Sequence, residues 1–229
     1  HPHGWGLGIL NGKDVQIEKE PAKAAESRYL RERLKDPIEE KTVFAHIRYA
    51  TIGNIEYRNC HPYTTTDNSG RQWTLIHNGT IFDYPPLASY VHRQNGDTDS
   101  ERILLYIADC MDQRKEKQGH ELDAEERFEV LDEIVQDMSK GNKLNLMLYD
   151  GEQMYVHTNC AGSLHYLNME EGVIVATSPI SAGHWQSVPF TQLLAYQDGE
   201  CIRRGTIHGQ EYVENEENLK FLYQIFSDL

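Results

Sequence analysis

The chain has 229 residues, and 22 Lys+Arg stand against 36 Asp+Glu for a formal net charge of −14. That length suffices to bury a substantial core, while the acidic balance and the absence of any basic stripe exclude nucleic acid and anionic membrane surfaces as expected partners. No apolar run approaches a bilayer span, and the opening HPHGWGLG lacks the charged-then-apolar order of a signal peptide, so a cytoplasmic protein is expected.

Taken in chain order, Trp5 to Leu10, Asn11-Gly12 and Val15 to Ile17 predict a hairpin, because Asn-Gly supplies the positive φ angles of a tight turn. Ala22 to Lys35 predicts an amphipathic helix. Thr42 to Tyr49 predicts a strand in which Val43, Ala45 and Ile47 alternate with Phe44, His46 and Arg48, leaving one apolar face and one carrying polar heads. A loop over Asn54 to Arg71 precedes a short strand, Trp73 to Ile76, that ends in His77-Asn78-Gly79. Ser100 to Met111 and Ala124 to Ser139 have helical apolar spacing, and the charge run Asp112 to Glu121 between them reads as a surface turn.

The second half changes character. Leu144 to Tyr149, Met154 to His157, Leu164 to Leu167, Val173 to Ala176 and Leu193 to Tyr196 predict short strands between Gly, Asn and Asp turns, with a last helix over Glu216 to Phe226. Several of these strands are apolar on both faces and need cover on both sides. With no repeat or linker dividing the chain, the expectation is a single α+β domain over residues 1–229, a four-layer αββα sandwich of two mainly antiparallel sheets.

Cys60, Cys110, Cys160 and Cys201 are scattered without a CxxC pair and read as reduced structural thiols. The eleven histidines include no HExxH or similar helical pair, so no metal and no other cofactor is expected.

Four segments carry polar groups that a core does not need: GWGLGIL at Gly4 to Leu10, FAHIRYATIG at Phe44 to Gly53, NCHP at Asn59 to Pro62 with HNGTI at His77 to Ile81, and GDTDSERI at Gly96 to Ile103. In this order they resemble class II, N-terminal-nucleophile glutamine amidotransferases, especially the stand-alone group that includes γ-glutamyl hydrolases. LNLMLYDG at Leu144 to Gly151 and VIVATSPI at Val173 to Ile180 resemble later strands of the same family.

The residues fit that chemistry individually. Arg48 offers a planar fork that matches a carboxylate bidentately, and the resemblance assigns it the α-carboxylate of a glutamine; read alone, it serves equally well as a structural ion-pair partner. Asp99, at a helix start, can cap the helix, and the resemblance has it accept from the substrate α-ammonium. Asn78-Gly79 is by itself a common turn pair, and the resemblance makes its side-chain amide and backbone N–H an oxyanion hole. Tyr49 and Thr51 are candidates for the same pocket, and His61 for structural support beneath it.

The family's attacking group is the thiol of an N-terminal cysteine whose own α-amine is the base. The given chain starts at His1, so the expectation is that a first strand carrying the cysteine precedes it. Cys60, beside His61, is the one conceivable internal substitute. The resemblance therefore implies an amidohydrolase that cleaves the side-chain amide of glutamine or a γ-glutamyl compound through a cysteinyl thioester. The alternative is a catalytically inactive sensor or partner subunit that binds the same small molecule. A homo-oligomer or a separate synthase subunit is compatible with either.

Overall fold

The computed structural model describes residues 1–50 and 52–227, leaving aside the side chains of residues 223 and 225–227. The strands in chain order are β1 (Trp5–Asn11), β2 (Asp14–Glu20), β3 (Thr42–Ile47), β4 (Tyr63–Thr66), β5 (Gln72–Thr80), β6 (Lys143–Tyr149), β7 (Met154–His157), β8 (His165–Met169), β9 (Gly172–Ala176), β10 (Gln186–Ser187), β11 (Leu194–Gln197) and β12 (Glu200–Arg204). The helices are α1 (Arg28–Arg33), α2 (Asp99–Gln118), α3 (Ala124–Met138) and α4 (Glu216–Ser227). All pairings are antiparallel: a six-stranded sheet in the order β12-β11-β7-β6-β5-β4, and two three-stranded sheets, β2-β1-β3 and β10-β8-β9.

Strand alternation sorts the core into two interfaces. On one face of the large sheet, Trp73, Leu75, Leu144, Leu146, Leu148 and Tyr155 meet Ile103, Leu104 and Ile107 of α2 and Leu131, Ile134, Val135 and Met138 of α3. On the other face, Ile76 and Tyr149 pack on Leu10 and Phe44 of the β2-β1-β3 sheet, and Val156, Leu194 and Tyr196 pack with Leu164, Val188, Tyr166, Val173 and Val175 around the β8-β9 hairpin. Each fully buried aliphatic or aromatic side chain contributes about 1.5–3 kcal/mol. The fold is the expected α+β sandwich of antiparallel sheets, with the outer layer over β2-β1-β3 reduced to α1 and its flanking turns.

Several boundaries differ from expectation, each for a local reason. The helix expected over 22–35 is confined to α1, because Ser27 caps it by accepting from Leu30 N at 2.9 Å. The expected turn over 112–121 is mostly helix: α2 runs to Gln118 and ends where Gly119 takes a left-handed conformation at φ 78. β4 forms inside the expected loop 54–71. β5 continues through Thr80, so Asn78 and Gly79 belong to a strand end and not to a free turn. On β3 the apolar residues Val43 (41% exposed) and Ile47 (50% exposed) face outward, whereas Phe44 is buried and His46 and Arg48 follow it inward.

Candidate active site

The sequence candidates come from three elements. Arg48 follows β3, Asn78 and Gly79 lie near the end of β5, and Asp99 opens α2. All of them, with Tyr49 and His61, line one cavity of about 230 Å³. Thr51 lies outside the described residues.

Asp99 is held from two directions. Its Oδ2 accepts from Ile81 N at 2.9 Å and its Oδ1 from Ser100 N at 2.8 Å and Ser100 Oγ at 3.3 Å. A carboxylate has about four acceptor sites, so room for one further donor is left. The capping expected of Asp99 is done instead by Thr98, whose Oγ1 accepts from Glu101 N.

Arg48 is buried, and its guanidinium donates to Asn54 O at 2.9 Å, Ile52 O at 3.0 Å and Gly53 O at 2.8 Å. Burial pushes its pKa down. Three of its five N–H groups, including both on Nη2, thus hold the loop that follows β3, and the Nε–H and one Nη1–H take no part in these bonds.

The Asn78 side chain is exposed to this cavity, and Gly79 is packed from below. A Cβ at position 79 would stand 2.0 Å from Lys143 O and 2.4 Å from His77 Nε2, so only glycine fits there. The missing Cβ thus lets β5 pack closely on the start of β6 and on the His77 ring.

Three imidazoles, His46, His61 and His77, line the cavity: His46 and His61 lie 4.1 Å apart between ring centroids, and His61 meets Tyr63 edge-on at 4.8 Å. Burial pushes His46 down to about 4, His61 well below the usual histidine range, and His77 down as well. All three are therefore held neutral at neutral pH. His77 is positioned through Ser100 Oγ at 3.0 Å from its Nδ1. His61 lines the cavity while buried, and neither of its ring nitrogens has a hydrogen-bond partner among the described residues. No group of three or more His, Cys, Asp or Glu suited to a metal occurs among the described residues.

Cys60 is not placed to attack a ligand. It is buried outside the cavity lining, with Sγ 3.6 Å from Glu20 O and 3.5 Å from Glu56 O, and burial pushes its thiol pKa up. None of the four cysteines lines the cavity.

Sequence reasoning missed Lys143, Phe82, Tyr212 and Glu214, which also line the cavity. Tyr212 stacks on Phe82 at 5.9 Å with the rings 5° from parallel, which brings the segment before α4 against the end of β5. The cavity also shares His1, His46, Ile47, His77 and Asn78 with an apolar groove of about 530 Å³ that runs between β3 and β9. Each of those strands is paired on one side only, so their facing edges are open.

An antiparallel sandwich with an arginine, a carboxylate and a strand-end Asn-Gly around one cavity defines an amidotransferase-type scaffold. A family model described as "Glutamine amidotransferases class-II" matches residues 1–171, and the chain belongs to that family. It is 30% identical over 177 residues to YafJ of Escherichia coli, covering 77% of this chain and 68% of that protein. It is also 27% identical over 230 residues to MJ1515 of Methanocaldococcus jannaschii, covering 88% of this chain but only 63% of that one. Among solved structures, a protein of Pseudomonas aeruginosa predicted to be a glutamine amidotransferase superposes with a TM-score of 0.69 at 21% identity, covering 89% of this chain and 88% of that one. The glutamine phosphoribosylpyrophosphate amidotransferase of Bacillus subtilis superposes with a TM-score of 0.62 at 16% identity, covering 90% of this chain and 43% of the longer protein. No helix among the described residues is long and apolar enough to cross a membrane.

Proposed function

We propose that the protein hydrolyses the side-chain amide of glutamine or of a γ-glutamyl compound through a cysteinyl thioester. The observation that carries this reading is the common cavity of Arg48, Asp99, Asn78 and Gly79. A remaining N–H of Arg48 takes the substrate α-carboxylate as a single charge-assisted bond, and the open acceptor site of Asp99 takes its α-ammonium. The Asn78 amide and Gly79 N–H then face the γ-carbonyl oxygen, where negative charge develops.

The thiol is carried by chain preceding His1. The groove between the open edges of β3 and β9 supports this placement, because one strand inserted there pairs with both edges and ends beside Asn78. The thiol sulfur attacks the γ-carbonyl carbon and its proton passes to the terminal α-amine. Collapse of the tetrahedral intermediate breaks the C–N bond as that proton moves to the leaving nitrogen. Water then cleaves the thioester, releasing glutamate and restoring the thiol.

The test uses full-length protein, identified by N-terminal sequencing and intact mass, with glutamate release measured from glutamine and γ-glutamyl amides. Asn78→Ala is expected to lower kcat by roughly a hundredfold or more, as the loss of an oxyanion donor does. Absence of glutamate release from every γ-glutamyl compound by the wild-type protein removes the proposal.

A further inference from the structure

Lys143 opens β6 directly opposite Thr80 in the β5–β6 ladder, and Asn145 stands opposite Asn78. Side chains alternate along a strand, so Lys143, Asn145, Asn78 and Thr80 share one face of the large sheet. Asn78 and Lys143 are diagonal neighbours, about 7–8 Å apart in backbone position and within reach of a long side chain.

The Lys143 side chain is half-buried against the cavity, yet its ammonium makes no ion pair within 4.0 Å among the described residues, although Asp99 and Glu214 line the same space. Its charge is felt by His77, whose pKa it helps to lower. By contrast, Arg127 is paired with Asp150 and Glu152, and Arg33 with Glu18. A cation left unpaired beside a strand-end Asn-Gly is arranged for a ligand's negative charge.

On the reading above, Arg48 and Asp99 hold the α-carboxylate and α-ammonium, so Lys143 is not needed for the substrate head. What a γ-glutamyl substrate places next to the oxyanion donors is the substituent on its amide nitrogen. We infer that Lys143 binds a carboxylate on the leaving amine, making γ-glutamyl amino acids the preferred substrates over glutamine itself. The inference rests on the amidohydrolase reading. The stacked Phe82 and Tyr212 rings provide an apolar wall for the leaving residue's side chain. When the C–N bond breaks and the nitrogen takes the thiol's proton, the amino acid departs as a neutral amine; a second proton, taken from water, makes it a zwitterion, and Glu214, which lines the same cavity, can hold the new ammonium.

The experiment compares γ-glutamylglycine with γ-glutamylethylamide, which carry the same scissile bond and differ by the terminal carboxylate. With wild-type full-length protein, kcat/KM is expected to favour γ-glutamylglycine at least tenfold. Lys143→Gln should erase that preference through KM, Lys143→Arg should retain most of it, and hydrolysis of the ethylamide should be unchanged in both. A wild-type ratio near one overturns the inference while leaving the hydrolase reading intact. Equal loss of kcat on both compounds in Lys143→Gln also overturns it, by placing the ammonium on the oxyanion. Cleavage of neither compound by the wild type, with glutamine also untouched, removes the hydrolase reading and this inference together.

Discussion

Ile81 N donates to Asp99 Oδ2 across 2.9 Å, tying the end of the strand that carries Asn78 and Gly79 to the first residue of α2. The carboxylate proposed to hold the substrate ammonium thus also fixes its own distance from the proposed oxyanion donors. Asp99→Asn keeps an oxygen for Ile81 N and removes the charge. It should raise KM for a γ-glutamyl substrate by roughly ten- to a hundredfold, in line with about 1.5–3 kcal/mol for a hydrogen bond to a charged group, while leaving the melting temperature nearly unchanged. Asp99→Ala should lose both, since the buried Ile81 N–H is then orphaned. A normal KM in Asp99→Asn would return Asp99 to a purely structural role.

Arg48 has a comparable double attachment. Its bonds to the carbonyls of Ile52, Gly53 and Asn54 require a planar fork with several fixed donors, which lysine lacks. Arg48→Lys is therefore expected to raise KM at least tenfold and to speed protease cleavage within residues 52–56. An unchanged cleavage rate together with a raised KM would separate substrate binding from loop anchoring; an unchanged KM would leave only the anchoring.

The positions of Arg48, Asn78, Gly79 and Asp99 were legible because each sits in a short segment whose residue order carries the family resemblance, and each lies near the end of a regular element. Lys143 was not legible. In LNLMLYDG the eye meets an apolar run, and only the cross-strand register, a relation between segments 63 residues apart, sets Lys143 beside Thr80. Tyr212 and Glu214 belong to a stretch without periodicity, and the stacking of Tyr212 on Phe82 that brings this stretch to the cavity is purely tertiary. The alternation of β3 was read correctly as two faces. Which one turns inward was decided by the neighbouring sheet: Gly6 on β1 is so close to the residue 61–62 segment that an added Cβ would stand 1.8 Å from His61 O, and the polar face of β3 follows the same side inward.

The buried imidazoles give stability a defined pH dependence. Burial holds His46 at about 4 and His157 at about 3, and His61 and His77 are also pushed down. Their unfolded values lie near 6.5, so between that value and the folded ones the unfolded chain binds more protons than the native one. Stability is therefore present above about pH 6.5 and lost as pH falls below it, by roughly 1.4 kcal/mol per pH unit for each such histidine. Carboxylates held low, such as Asp109 and Asp137, add their own loss only nearer their unfolded values around 4. Urea unfolding at pH 7, 6 and 5 should show the midpoint falling steadily, and His157→Gln should reduce the slope by about one proton. A midpoint flat from pH 7 to 5 would mean that these imidazoles are not neutral and buried in the native state.

Arg127 and Asp150 meet away from the candidate site and separate stability from chemistry. Arg127 Nε donates to Asp150 Oδ2 at 2.7 Å, Tyr155 OH donates to the same oxygen at 2.9 Å, and Asp150 Oδ1 accepts from Glu152 N and Gln153 N. Both partners are buried, and every acceptor on the carboxylate is used, which is the condition under which a buried ion pair offsets its own desolvation. Asp150→Ala leaves the guanidinium with the half-exposed Glu152 as its one carboxylate partner within 4.0 Å among the described residues, beside the Leu122 carbonyl, and strips the turn after β6 of its acceptor. A loss of about 3–5 kcal/mol in urea unfolding is expected, with kcat unchanged at temperatures where the variant stays folded. A loss below about 1 kcal/mol would show that the pair contributes no more than an exposed one. A drop in kcat at full folding would mean that this pair, remote from the cavity lining, is coupled to it through β6, the strand that begins at Lys143 and ends one residue before Asp150.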